Sequence, residues 1–242
     1  MKIGVFDSGI GGLTVLKRLI DKYPNNEYIY YGDTKNIPYG DKSIEELKVL
    51  ASNIVDFLIS KNVDMIVIAC GTVSSNLSNY LKEKYNIKIV DIISPVINYL
   101  NNSEYKKIGV IATNATINSK VFSKSLNKDI KEVACPMFVP IIESNNLTKL
   151  QKYLDAYLND LKDRDIIVLG CTHYPLIKDE INKYLNNNNI KLLDMSECIS
   201  DITNEGKASI EVYFSELEDK LINDVNSILS EKGFVINKIK TN

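Results

Sequence analysis

The chain has 242 residues, a net charge of −2, 45% hydrophobic and 25% charged residues, an ordinary balance for a globular protein. It carries no basic field to attract nucleic acid or an anionic membrane, and Arg18 and Arg164 are its only arginines, which disfavours bidentate phosphate recognition as its main task. No apolar run reaches the length of a membrane span, and the first one stops at Asp7, too short for a signal-peptide core. The four cysteines, Cys70, Cys135, Cys171 and Cys198, form no Cys-x-x-Cys pair, so the simplest expectation is a cytoplasmic protein with reduced thiols.

In chain order, short apolar runs predict strands over 2–6, 28–31, 64–69, 87–90, 107–112, 165–170 and 190–193, with another inside 130–142. Several are unbroken runs of Ile and Val, as in strands buried on both faces of a parallel sheet. Amphipathic stretches lie between them. The clearest helix is 43–60, where Ile44, Leu47, Leu50, Ile54, Phe57 and Leu58 recur at helical spacing. Ser43 followed by Glu46 is a capping-box signature at its start. The Asn-rich stretch 186–189 reads as a surface turn. The alternating order predicts an α/β fold.

The chain also repeats itself. Lys-Ile-Gly-Val-Phe-Asp-Ser at 2–8 is echoed by Lys-Ile-Gly-Val-Ile-Ala-Thr at 107–113, and Asp-Met-Ile-Val-Ile-Ala-Cys at 64–70 by Asp-Ile-Ile-Val-Leu-Gly-Cys at 165–171. Two matches in the same order, at nearly one spacing, predict two related α/β lobes. In open parallel sheets ligands bind beyond the carboxyl ends of the strands. The repeats place Asp7 and Ser8, Thr113 and Thr116, Cys70 and Thr72, and Cys171 with Thr172 and His173 at such ends. If the lobes face one another, one cysteine enters the cleft from each side. Inverting a carbon needs a base on one face and an acid on the other, and a thiolate and a thiol can fill and exchange those roles. His173, the only histidine, stands two residues from Cys171, and Asp7 could serve Cys70. The alternative is a pair of inert buried cysteines.

Other signals stay open at this level. Asp7-Ser8-Gly9-Ile10-Gly11-Gly12 resembles a nucleotide-binding turn, with Asp33 ending the next strand, but the third glycine of the dinucleotide pattern falls at Thr14. A tight strand-to-helix turn, or a helix N-terminus holding a carboxylate, fits as well. The loop from Gly32 to Gly40 ends in Pro38-Tyr39-Gly40, a rigid turn presenting amides and a phenol, or a simple surface turn. Glu143 either tunes a site proton or caps a helix beginning near Leu147, the cap being the simpler reading. Cys135 and Cys198 read as structural. Zinc ligation by Cys70, Cys171, His173 and Cys198 matches no compact zinc motif, so no metal is expected.

Taken together, Asp-Ser-Gly-Ile-Gly-Gly at 7–12, Tyr-Gly-Asp-Thr-Lys-Asn-Ile-Pro-Tyr-Gly at 31–40, Ala-Cys-Gly-Thr at 69–72, Cys-Pro-Met-Phe-Val-Pro-Ile-Ile-Glu at 135–143 and Gly-Cys-Thr-His-Tyr-Pro at 170–175 resemble the motifs of the glutamate racemase family. The resemblance implies two pseudo-symmetric lobes, residues 1–92 with 205–242 and residues 93–204, with C-terminal helices returning to the first and the active site in the cleft between them. It implies Cys70 and Cys171 as the acid–base pair, the first handling the proton of the D-isomer and the second that of the L-isomer, supported by Asp7, Glu143 and His173. Asp7, Ser8, Pro38, Tyr39, Gly40, Gly71, Thr72, Thr113, Thr116, Thr172 and His173 would surround the substrate. Glutamate is the implied substrate, with no cofactor, no nucleic-acid or membrane partner, a homodimer as the assembly to expect, and D-glutamate for peptidoglycan as the product. The chain opens directly on its first strand, so the activation by a cell-wall precursor that accompanies an N-terminal extension in some relatives is not expected. One departure stands out. The family usually has Asn directly after the first cysteine, where this chain has Gly71. That removes a side-chain hydrogen bond worth about 0.5–1.5 kcal/mol and leaves aspartate or broad amino-acid racemisation as the alternative.

Overall fold

Each apolar run read as a strand forms one, within two residues of the expected ends. The computed structural model describes residues 1–144, 146–186, 189–217, 219–229, 233 and 235–238. Asn187 and Asn188 of the Asn-rich turn lie outside the described residues. The first part of the chain runs β1 (Lys2–Asp7), α1 (Gly12–Lys22), β2 (Glu27–Gly32), α2 (Ile44–Ser60), β3 (Met65–Ile68), α3 (Gly71–Lys84), β4 (Lys88–Asp91) and α4 (Ser94–Asn101). The second part runs β5 (Lys107–Ala112), α5 (Asn114–Ser119), α6 (Val121–Ser125), β6 (Asp129–Ala134), α7 (Phe138–Glu143), α8 (Leu150–Leu158), β7 (Ile166–Leu169), α9 (Lys178–Leu185) and β8 (Lys191–Asp194). The chain then adds β9 (Ser209–Phe214), α10 (Asp219–Ile228) and β10 (Val235–Lys238). The capping box holds as read: Ser43 Oγ accepts from the Glu46 amide, and the Glu46 carboxylate accepts from the Ser43 amide at 2.9 Å.

Two sheets result, in the orders β10-β9-β2-β1-β3-β4 and β6-β5-β7-β8, and every strand pairing is parallel. The repeat is therefore topological as well as textual. In both sheets the first strand of the unit is flanked by the second and third, and the fourth lies beyond the third. One expectation is corrected here. The C-terminal segment does not return as helices alone: β9 pairs in parallel with β2, and β10 with β9. The reason lies in the pattern of β9, whose Ile210, Val212 and Phe214 are buried while Glu211 and Tyr213 are half-buried. That alternation marks a strand covered mainly on one face, and a search for unbroken apolar runs passes over it.

Side-chain alternation along the strands sorts the core into three layers. Ile3 and Val5 of β1, Met65 and Val67 of β3, and Ile108, Val110, Ile166 and Val168 of the second sheet share one central cluster with α1, α4 and α10. Phe6, Ile66 and Ile68 face the opposite side of the first sheet, against α2 and α3. Ile111, Ile167 and Leu169 face the outer side of the second, against α7, α8 and α9. The central layer joins both sheets through one continuous core, so the carboxyl ends of β1, β3, β5 and β7 are held on a common frame. Among the described residues no helix is long and apolar enough to cross a membrane.

Candidate active site

The polar residues singled out by the repeat cluster where the strands end. Ser8 follows β1, Cys70 and Thr72 follow β3, Thr113 follows β5, and Gly170 to His173 follow β7. Together with Pro38, Tyr39 and Gly40 from the loop after β2, and Gly71, they line one cavity enclosing about 630 Å³ of empty space, its open mouth included. No lysine or arginine is among the residues lining it, so the donors available to an anionic ligand are hydroxyls, backbone amides, the Asn114 side chain and His173. The lining also includes Ile37, Asp41, Asn114 and Pro136, which sequence reasoning passed over although each adjoins a residue it named. Val139 and Pro140 of α7 complete that wall.

The glycine turn after β1 is built around Asp7. Gly12 donates its amide to Asp7 Oδ2 at 2.7 Å, and a Cβ on Gly12 would come within 2.4 Å of the Asp7 Cβ and 2.7 Å of the Tyr30 hydroxyl. Glycine is needed here for close approach. The nucleotide reading of this turn also loses its acid, because Asp33 accepts from Asn36 Nδ2 and from the Tyr39 hydroxyl. The same bond corrects the expectation that the Pro38-Tyr39-Gly40 turn presents a phenol. Tyr39 is buried and its hydroxyl donates to Asp33 Oδ2 at 2.5 Å, since a buried phenol must satisfy its proton and the end of β2 supplies the acceptor.

The two cysteines sit in unlike surroundings. Cys70 precedes the first turn of α3, with its Sγ 3.9 Å from Ser8 Oγ. Burial, followed by the charge of Asp7, pushes its thiol pKa well above the ordinary range despite the helix amide of Val73. Cys171 Sγ lies 3.8 Å from His173 Nδ1, and His173 Nε2 lies 2.6 Å from Glu143 Oε1. Burial opposes a charged imidazole there, but hydrogen bonds and charges from Cys171 and Glu143 outweigh it and hold the His173 pKa well above the usual histidine value. Glu143 thus ends α7 facing His173, and it does not cap the segment at Leu147: the short turn there has no side-chain cap. The local pattern favoured the cap because the histidine that Glu143 meets is thirty residues away.

Asp7 and Thr116 stand behind the cavity wall. Thr116 receives the Thr113 hydroxyl at 3.1 Å, and Thr113 meets Thr72 at 3.0 Å across the seam between the sheets. Thr172 donates to Asp7 Oδ2 at 3.2 Å across the same seam. Asp7 is fully buried, and burial raises its pKa against the lowering influence of His173 and of the Gly12 and Ser8 amides. Its Oδ1 has no well-formed hydrogen bond, with the Cys70 thiol close enough to act on the carboxyl. Such a buried, poorly satisfied carboxylate is costly to the fold, and sites of that kind are typically functional. Cys135 is buried with its Sγ near the Val133 carbonyl, and Cys198 is half-buried among the residues around the central core. Among the described residues, no group of three His, Cys, Asp or Glu side chains is disposed to hold a metal ion.

Comparison with known proteins bears directly on this arrangement. The profile of the family described as Asp/Glu/Hydantoin racemase matches residues 8–199. The chain belongs to that family. It is 41% identical to the glutamate racemase of Hydrogenobaculum sp. (strain Y04AAS1), over 96% of this chain and 94% of that one. It is 39% identical to the glutamate racemase of Aquifex aeolicus, over 96% and 95%. Among solved structures, it resembles the glutamate racemase of Aquifex pyrophilus with a TM-score of 0.84 at 37% identity, covering 98% of both chains. It also resembles that of Francisella tularensis in complex with D-glutamate, with a TM-score of 0.85 at 31% identity, covering 99% and 97%. As a family member the protein is an isomerase, a racemase by class, and its two sheets flanked by helices are the architecture of these structures.

Proposed function

We propose that this racemase interconverts L- and D-glutamate with Cys70 and Cys171 as its two bases, without a cofactor. The observation that carries the reading is one cysteine from the carboxyl end of a strand in each sheet, β3 and β7, lining a single cavity. In the L-to-D direction Cys171, as the thiolate beside the His173 imidazolium, removes the α-proton. The Cys70 thiol then delivers its proton to the opposite face of the carbon. Each thiol ends in the state from which the other began, which is what the reverse reaction requires. Glu143 holds His173 in orientation, and Asp7 faces the Cys70 half of the site. Ser8, Thr72, Thr113 and Thr172, with the backbone of Gly40 and Gly71, line the space for the two carboxylates, and Asp7 supports this wall from behind. The names of the relatives favour glutamate over aspartate. The reading also includes the lobe boundaries given above, a homodimer, a cytoplasmic setting suited to four free thiols, and delivery of D-glutamate to peptidoglycan.

The test is exchange of the glutamate α-proton in heavy water, followed by NMR with loss of optical rotation, for the wild type and for Cys70→Ala and Cys171→Ala. Exchange and racemisation by the wild type are expected, with racemisation lost in both variants. Full turnover in either variant would sink the two-thiol mechanism. Exchange with aspartate in place of glutamate would move the substrate assignment.

A further inference from the structure

Gly71 follows Cys70 and Gly170 precedes Cys171, and these two glycines meet across the seam. A Cβ built on Gly71 would stand 2.6 Å from the Gly170 carbonyl oxygen and 3.6 Å from Met195 Cε. Carbon and oxygen in contact settle at about 3.3 Å or more, so any side chain at position 71 has to part the lobes locally by roughly 0.7 Å. The Gly170 carbonyl has little freedom to withdraw. Its residue donates its amide to the Ile111 carbonyl at 2.7 Å, and a Cβ built on it would stand 2.8 Å from that oxygen and 2.9 Å from the Ala112 Cβ, so its other side is closely packed as well. Nor is the seam slack beside this contact: Thr72 meets Thr113 at 3.0 Å, and Thr172 meets Asp7 at 3.2 Å. The backbone of Gly71 does not itself require glycine. It is the first residue of α3 and has no positive φ, a position where alanine is intrinsically the better helix former.

We infer that Gly71 is a positioning residue: lacking a side chain, it lets the peptide joined to Cys70 rest on the peptide joined to Cys171, and so sets the gap across which the two thiols address one α-carbon. The inference rests on the two-cysteine reading above, which the cysteine variants test separately. It gives a physical role to the position where this chain departs from the Asn usual in the family it resembles.

Gly71→Ala and Gly71→Asn test it. The measurements are thermal melting, kcat and KM for both glutamate isomers, and the isotope effect on kcat with α-deuterated substrate. A misplacement near 1 Å can cost up to a hundredfold in rate, so kcat is expected to fall by about tenfold to a hundredfold in both directions. KM should change little, the melting temperature should hold, and the isotope effect should exceed that of the wild type, because proton transfer across a wider gap becomes the slow step. An unchanged kcat and isotope effect overturns the inference. A rise in KM alone also overturns it, assigning the contact to binding. A variant that no longer folds overturns it too, by making the contact a requirement of the fold. If the cysteine variants lose turnover while Gly71→Ala keeps it, only this inference fails. If they keep turnover, the two-cysteine reading fails with it.

Discussion

Cys70 and Cys171 carry the same thiol in different electrostatic settings. Cys171 shares a proton-holding unit with His173 and Glu143, joined at 3.8 Å and 2.6 Å. Cys70 is buried with the Asp7 carboxyl nearby, both of which disfavour a thiolate and outweigh the Val73 amide and the Ser8 hydroxyl that favour one. The sign of each effect fixes a pH order. An imidazole whose pKa is held above its ordinary value of about 6.5 stays charged through neutral pH and stabilises a neighbouring thiolate. A thiol pushed upward by burial and a negative neighbour stays protonated over the same range. Iodoacetamide at neutral pH should therefore alkylate Cys171 ahead of Cys70, and Cys70 should react only in strongly alkaline solution. Peptide mass spectrometry across a pH series reads the order, and modification of Cys70 first would contradict it. The histidine has a further consequence for stability. Its raised pKa contributes stability that is complete below about pH 6.5 and is lost as pH rises through its value in the folded protein.

At the scale of elements, the helices start where short-range chemistry tells them to, and the site loops answer to long-range partners. Ser43 and Glu46 satisfy each other's amides at the start of α2, and both lie at the surface, outside the cavity lining. Ser43→Ala should cost about 1 kcal/mol, lowering the melting temperature by about 2–4 °C for a chain of this size, with kcat unchanged. A drop in kcat at full stability would mean that α2 reaches the site through the Tyr39–Asp41 turn just before it. The capping box was legible because its partners are three residues apart. The roles of Glu143 and Tyr39 were not, because each is decided by a partner the local pattern does not contain: His173 for the carboxylate, and a phenol turned inward onto Asp33. β9 was missed for a different reason. It is covered mainly on one face, so its apolar residues alternate, whereas β1, β3, β5 and β7 are buried on both.

On the scale of the whole molecule, the C-terminal return is part of the first sheet. β9 covers the outer edge of β2 through six register pairs, and Phe214, Val225 and Leu229 are buried in the central core shared by both sheets. Truncation after residue 204 would bare the β2 edge and open that core, and an exposed parallel edge of this kind invites association. The truncated chain is expected to be aggregated or unfolded by circular dichroism and size-exclusion chromatography, and inactive. A soluble, racemising product would show that the frame holding the four strand ends does not need the return.

The sequence by itself determined the strands, the doubled unit and the residues at its strand ends, because strands buried on both faces leave long Ile and Val runs and the chain writes them twice. Cys70 and Cys171, with Thr72, Thr113, Thr172 and His173 beside them, could be found from that pattern alone. Only the tertiary structure decided how the two halves meet. It set His173 between Cys171 and Glu143, left Asp7 buried with one oxygen poorly satisfied, turned Tyr39 onto Asp33, and laid Gly71 on the Gly170 carbonyl. Those facts depend on contacts between residues far apart in the chain, and local spacing carries no record of them.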